Sequence, residues 1–162
     1  MLDYTLVSAK ATYRMPAPRD LPALVRMVQA LYREEGMEAE ASPETVLATV
    51  REFEKDKQRG SLFVFERELE LAGYAVLTVS WGSQLGGTVL SVDELYVQPA
   101  QRSQGLAADF IGLLGKVAPP DVMAIQVAAR RGDRVSSSLY RGLGFQETGR
   151  QILRWMRRPG FG

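Results

Sequence analysis

The stretch Val92–Lys116, VDELYVQPAQRSQGLAADFIGLLGK, decides how this chain is read. It begins as an apolar strand that stops at Pro99. It continues as a helix with Leu106, Phe110, Leu113, Leu114 and Val117 on one stripe. Two acids, Asp93 and Glu94, interrupt the strand just before the turn. A charged pair in an apolar strand is costly unless something there uses it. Neighbouring strand residues point to opposite faces, so at most one acid faces a given cleft unless a bulge shifts the phase. Both acids at a solvated or salt-bridged sheet edge is the plainer reading of the same pair.

The turn itself reads Arg102-Ser103-Gln104-Gly105-Leu106-Ala107. Gly105 removes a side chain where a ligand could approach the backbone, and Ala107 keeps the next turn small. The N–H groups from Ser103 to Ala108 open the helix, where the dipole favours an anion, and Arg102 adds a fixed positive charge. This is neither the Gly-Lys-Ser/Thr of a P-loop nor a full Gly-x-Gly-x-x-Gly. Taken alone, it also reads as a helix start with a close-packed glycine.

Downstream, Pro119-Pro120 stops the helix and Val122–Ala128 reads as a further buried strand. Asp133 is placed as the cap of a last helix, with Val135, Leu139 and Leu143 in line and Gly144 closing it before Phe145. Tyr140 lies at the flank of that stripe. It reads either as a core tyrosine bonded to a carbonyl or as a ring that directs its hydroxyl at a cleft. Ile152–Met156 reads as a final strand.

Upstream, residues 1–10 read as a flexible leader or an edge strand, and Ala11–Met15 as a short strand ended by Pro16 and Pro18. Asp20 is the expected N-cap of a first helix carrying Leu21, Leu24, Val25, Val28, Leu31 and Tyr32, closed by Gly36. Ser42-Pro43 starts a second, with Val46, Val50 and Phe53 on one face, ending near Gly60. Leu62–Glu66 and Leu71–Ser80 read as strands around a tight hairpin at Arg67–Glu70. Trp81–Thr88 reads as a looser loop before the strand Val89–Val97. The order predicts a single α/β (α+β) domain over residues 1–162. Its centre is a mixed, mostly antiparallel sheet of about six to seven strands flanked by four helices.

Composition narrows the chemistry. The 162 residues include neither cysteine nor histidine. Disulfides, thiolate catalysis, the Ser-His-Asp triad and most transition-metal sites are thereby excluded, and no metal is expected. Acid–base work must fall to carboxylates, tyrosines, lysines or water. A net charge of +1 gives no general attraction to nucleic acid or membrane. The basic run Arg154–Arg158 reads as a solvated end. No run of about eighteen apolar residues appears, and Met1–Lys10 is unlike a secretory signal, so a cytoplasmic location is the default.

The phosphate-turn segment and the Leu139-Tyr140-x-x-x-Gly144-Phe145 segment, about thirty residues apart, resemble the two signature motifs of the GNAT superfamily of acyl-CoA-dependent N-acyltransferases. Arg14 before the helix at Asp20, the strand Gly73–Leu77 and Val92-Asp93-Glu94-Leu95-Tyr96-Val97 sit where that family places similar segments. Spermidine/spermine-type acetyltransferases are similar around Asp93–Val97. The resemblance implies acetyl-CoA as co-substrate. The backbone of Leu95, Tyr96 and Val97 would hold the pantetheine arm and polarise the thioester carbonyl. Arg102 and the N–H groups of Ser103, Gln104, Gly105, Leu106, Ala107 and Ala108 would take the diphosphate. Asp133, where the family usually has asparagine, and Ser136 would also contact the cofactor, and Tyr140 would lie near the sulfur. Ser103 and Ala107 stand where the motif commonly has glycine.

The expected reaction is direct attack of an amine on the thioester. Asp93 or Glu94 would accept its proton, directly or through water: exposure favours Glu94, the polyamine-type resemblance Asp93. Strand N–H groups near Leu95–Val97 would stabilise the developing oxyanion, and Tyr140 would serve the departing thiolate. The acceptor is a small-molecule or peptide amine, with the acidic Glu34–Glu40 and the loop Trp81–Thr88 expected on its side. The alternative is a catalytically inactive CoA-binding or protein-interaction module on the same fold. A nucleic-acid binder is disfavoured by the charge. A homodimer through edge strands or the C-terminal segment is compatible with the resemblance.

Overall fold

In a computed structural model, residues 5–37, 41–129, 132–150 and 152–155 are described. One six-stranded sheet, in chain order from edge to edge, organises them. Strands β1 (Leu6–Val7), β2 (Thr12–Arg14), β3 (Gly60–Arg67), β4 (Glu70–Gly82) and β5 (Gly87–Val97) are each antiparallel to the next. Strand β6 (Val122–Val127) runs parallel to β5, after a crossover through helix α3 (Leu106–Val117). Helices α1 (Leu21–Glu35) and α2 (Pro43–Lys55) lie between β2 and β3 in the chain, and α4 (Arg134–Gly142) follows β6.

The sheet has an apolar cluster on each face. Leu24, Met27, Val28, Val46, Val50 and Phe53 of α1 and α2 pack with Leu62, Val64, Tyr74, Val76 and Tyr96. Leu106, Phe110, Ile111 and Leu114 of α3 pack with Tyr13, Phe63, Phe65, Leu77, Leu90 and Val92. The rings of Tyr13, Phe63 and Phe65 all lie 4.9–5.4 Å from that of Phe110. Truncating a ring so enclosed costs about 3–5 kcal/mol. Gly73 allows the close pairing of β4 with β5, since a Cβ there would meet Tyr96 O at 2.2 Å.

Several sequence expectations need correction. Asp20 does not cap α1 through its side chain. Its carboxylate is buried, accepts from Ala17 N at 2.7 Å and pairs with Arg14 at 2.6 Å. Arg14 also pairs with Glu66 of β3. A charge that pins β2 to the start of α1 outweighs a local cap here. Helix α2, capped by Ser42 Oγ accepting from Thr45 N, ends at Lys55 rather than near Gly60. Strand β6, expected to be buried, is only partly so: Val122, Ile125 and Val127 are half-buried against the α3-side cluster, while Met123 and Gln126 are exposed. Val135, expected on a buried stripe, is 82% exposed. Residues 152–155 form no strand, and Ile152, Leu153 and Trp155 are exposed. Met156 of the expected final strand, residues 1–4 of the leader and residues 38–40 of the acidic connection lie outside the described residues.

The β3–β4 hairpin turns through Glu68 and Leu69 alone. Both are in the left-handed region (φ 52° and 66°), as a two-residue turn of the primed type requires.

Candidate active site

The bulge that phase arguments allowed is present in β5. Val76 of β4 faces Glu94 and the next residue, Leu77, faces Val92, so Asp93 is the extra residue. Its insertion flips the strand's alternation. Leu90 and Val92 pack against α3, and after the bulge so do Leu95 and Val97. Tyr96 turns to the α1–α2 side, and Glu94 joins it there. An unbroken strand would place Glu94 on the same face as Val92.

Glu94 sits in a cavity of about 90 Å³ between α1, α2 and the sheet, lined by Val28, Tyr32, Thr45, Val46, Thr49, Leu62 and Val76. Its two oxygens are held separately: Tyr32 Oη donates to Oε1 at 2.8 Å and Tyr74 Oη donates to Oε2 at 2.7 Å. Burial, and then the Glu94 charge, push the Tyr74 phenol far above the ordinary tyrosine range, so it remains a donor. Each carboxylate oxygen keeps a second lone pair for a further partner. Asp93 is exposed and accepts from Thr78 Oγ1 at 2.9 Å. The two acids are therefore separated: one lines the cavity and the other faces solvent.

Next to Glu94 the sheet parts. Strand β6 pairs with β5 only from Thr88 to Val92, where Ala128 N donates to Val92 O at 3.2 Å. From Asp93 to Val97, β5 is paired with β4 alone among the described strands. Leu95, Tyr96 and Val97 thus present a backbone edge to the gap. Val97 O accepts from Arg102 Nε at 2.8 Å.

Helix α3 opens at the same end of the sheet. Its N-cap is Gly105, left-handed at φ 76°, and no side chain caps it. The N–H groups of the helix's first turn therefore lack an intrahelical acceptor. Around them, Ser103 is also left-handed (φ 63°), and a Cβ on Gly105 would meet only the Lys10 side chain within 4 Å. The Arg102 guanidinium is turned to α1. It pairs with Glu34 at 2.7 Å and lies 5.5 Å from the centre of the Tyr96 ring.

Helix α4 starts with Asp133, whose Oδ1 accepts from Val135 N and Ser136 N, while Oδ2 accepts from Ser136 Oγ at 2.6 Å. Tyr140 packs against the α3-side cluster, with the Phe145 ring 5.8 Å away. Burial, then the Asp133 charge, raise the Tyr140 pKa, so the phenol keeps its proton at neutral pH.

The sequence matches the model of the acetyltransferase (GNAT) family over residues 24–145, about three quarters of the chain. This chain belongs to the GNAT family. It is an acyl-CoA-dependent N-acetyltransferase. A search of curated proteins finds no match.

Solved structures share the fold at low identity. A possible acetyltransferase from Clostridium difficile 630 has a TM-score of 0.77 at 15% identity, covering 93% of this chain and 99% of that one. AAC(6')-Iy, in complex with the bisubstrate analogue CoA-S-monomethyl-acetylneamine, has a TM-score of 0.74 at 16% identity, covering 93% and 100%. A predicted acetyltransferase with acetyl-CoA from Clostridium acetobutylicum has a TM-score of 0.68 at 18% identity, covering 89% and 95%.

In this acetyltransferase the residues fit a diphosphate-bearing cofactor. A left-handed glycine, met within 4 Å only by the Lys10 side chain, leads an uncapped twelve-residue helix beside a strand edge that no described strand covers. Among the described residues no group of three or more acids could hold a metal. No described helix is long and apolar enough to cross a membrane. The loop Trp81–Thr88 is not brought to Glu94. It lies at the far end of β5, roughly 20 Å away at 3.3 Å per residue. Sequence reading missed Tyr32 and Tyr74 as partners of Glu94, and Lys10 beside Gly105. Both tyrosines were visible only as apolar-stripe or strand residues, and Lys10 ends a segment read as flexible or as an edge strand.

Proposed function

We propose that this enzyme acetylates a primary amine bound on the α1–α2 side of the sheet, with acetyl-CoA entering the gap between β5 and β6. Acetyl-CoA, when bound, supplies an acetyl group activated as a thioester. The first-turn N–H groups of α3, from Leu106 to Ala108, hold its diphosphate. The main chain of Leu95–Val97 holds the pantetheine arm. A free amine has a pKa near about 10 and arrives mostly protonated. Glu94 attracts this cation and takes a proton from the amine nitrogen, directly or through a water, with Tyr32 and Tyr74 fixing both of its oxygens. Tyr140, kept protonated by burial, is the donor available on the opposite face of the sheet for the CoA thiolate that would leave as the amine takes the acetyl group.

The observation that carries this reading is the parting of β5 from β6 directly beside a buried-side carboxylate, with the uncapped helix at the same end. Asp93 is less suited to the role, since it is exposed and faces away from the cavity. The test is release of free CoA thiol from acetyl-CoA across an amine panel. Glu94→Gln should lower kcat by on the order of 10²-fold, while Asp93→Asn should retain most of it. The reverse ranking would move the role to Asp93. Release with no amine would point away from transfer altogether.

A further inference from the structure

The opening of α3 carries a cation from a distant part of the chain. The turn between β1 and β2 is fastened to the first turn of α3 at two points. Ser8 Oγ donates to Asp109 Oδ2 at 2.5 Å, and Tyr13 Oη donates to the same oxygen at 2.6 Å. Tyr13 Oη also lies 3.3 Å from Leu106 O. This attachment sets Lys10 over the helix start. Its Nζ donates to Gln104 O at 2.9 Å and lies 3.2 Å from where a Cβ of Gly105 would be.

An ammonium in that place needs an explanation. The helix N-terminus is the positive end of the dipole, so a lysine there is disfavoured unless an anion joins it. Asp109, the acid of the first turn, is engaged by Ser8 and Tyr13. Lys10 forms no ion pair with a described carboxylate, and the carbonyl of Gln104 uses only one of its three donors. Arg102, the other cation of the turn, is bound to Glu34. Positive charge from the backbone and from Lys10 therefore converges on one opening, while the acid of the same turn, Asp109, is held on its Oδ2 by Ser8 and Tyr13.

We propose that Lys10 is a ligand of the cofactor's diphosphate, closing the phosphate cradle from the β1–β2 side. This rests on the placement of the diphosphate at α3 proposed above. The ammonium and the first-turn N–H groups grip the same anion from two sides, and the lysine's distance in sequence hides it from any motif around Gly105. The Ser8–Asp109 and Tyr13–Asp109 bonds are what hold the turn in reach.

Titration calorimetry with CoA and with 3′-dephospho-CoA, on the wild type, Lys10→Met, Lys10→Arg and Gly105→Glu, tests it. Lys10 is exposed, so the methionine variant should melt with the wild type. Lys10→Met should weaken both ligands by about 10-fold or more, as loss of a charge-assisted phosphate contact does. Lys10→Arg should recover most of the affinity, and the salt dependence of binding should be shallower in Lys10→Met. Wild-type affinity in Lys10→Met with binding lost in Gly105→Glu would remove the lysine's role and leave the α3 site standing. Wild-type affinity in Gly105→Glu would remove both. Tighter binding in Lys10→Met would make the lysine a plug rather than a ligand. A loss seen with CoA and absent with 3′-dephospho-CoA would transfer Lys10 to the 3′-phosphate and overturn the diphosphate assignment.

Discussion

Helices α3 and α4 follow neighbouring parallel strands, so both start at the same end of the sheet. They start in opposite ways. Helix α4 brings its own anion: Asp133 accepts two first-turn N–H groups and the Ser136 hydroxyl. Helix α3 begins at a left-handed glycine with no side-chain cap; Lys10 lies over it, Arg102 pairs with Glu34, and Asp109 accepts from Ser8 and Tyr13 rather than from the first-turn N–H groups. A helix start that serves only the fold is satisfied within the chain. One that leaves its N–H groups open is suited to an anion from outside. On the function proposed above, the diphosphate belongs to α3 and α4 presents Tyr140.

The largest effect expected from this contrast is at Gly105. Gly105→Glu adds a left-handed strain and a carboxylate where the diphosphate would lie. CoA affinity measured by calorimetry should fall by on the order of 10³-fold. An acid is native at the corresponding place in α4, so a tolerated acid at Gly105 would erase the distinction between the two helix starts.

Tyr140 offers the next largest effect. Tyr140→Phe should reduce kcat by on the order of 10²-fold in steady-state kinetics with CoA affinity nearly unchanged. A loss of CoA affinity instead would place this tyrosine with the binding groups.

Asp133→Ala should cost about 1 kcal/mol, seen as a fall of about 2–4 °C in Tm. Asp133→Asn keeps the cap but removes a charge that raises the Tyr140 pKa. The alkaline limb of the kcat profile should then move to lower pH while Tm holds. A stable profile would mean that Tyr140 does not titrate in turnover.

The smallest expected effect is at Ser103, left-handed without being glycine. Ser103→Gly should stabilise the fold by less than about 1 kcal/mol in urea unfolding.

Much of this architecture was legible along the chain because its signals are local. Ser42-Pro43, Gly36, Asp133 and Gly144 mark helix ends through their own backbone and side-chain chemistry. The apolar stripes of α1, α2 and α3 follow from period alone. What was missed depends on contacts made across the sheet. Asp20 reads as a cap, yet Arg14, six residues away, claims its carboxylate and holds it below the usual range. Val135 continues a helical stripe but faces solvent, since nothing described covers it. At the site, the bulge was foreseen only as an exception, because register is a property of two strands. Glu94 could be named from its place in β5. Its two phenol partners come from 62 and 20 residues away, and no spacing rule connects them.

The two-residue turn at Glu68–Leu69 has a practical consequence. Two side-chain-bearing residues hold a backbone shape that asparagine and glycine adopt with less strain. The turn joins β3 to β4, and Leu69 is 93% exposed. Grafting Asn-Gly at these positions should give a sturdier parent molecule, read as a higher Tm. In it, damaging replacements such as Tyr74→Phe could be assayed as folded enzymes, with loss of chemistry separated from loss of structure.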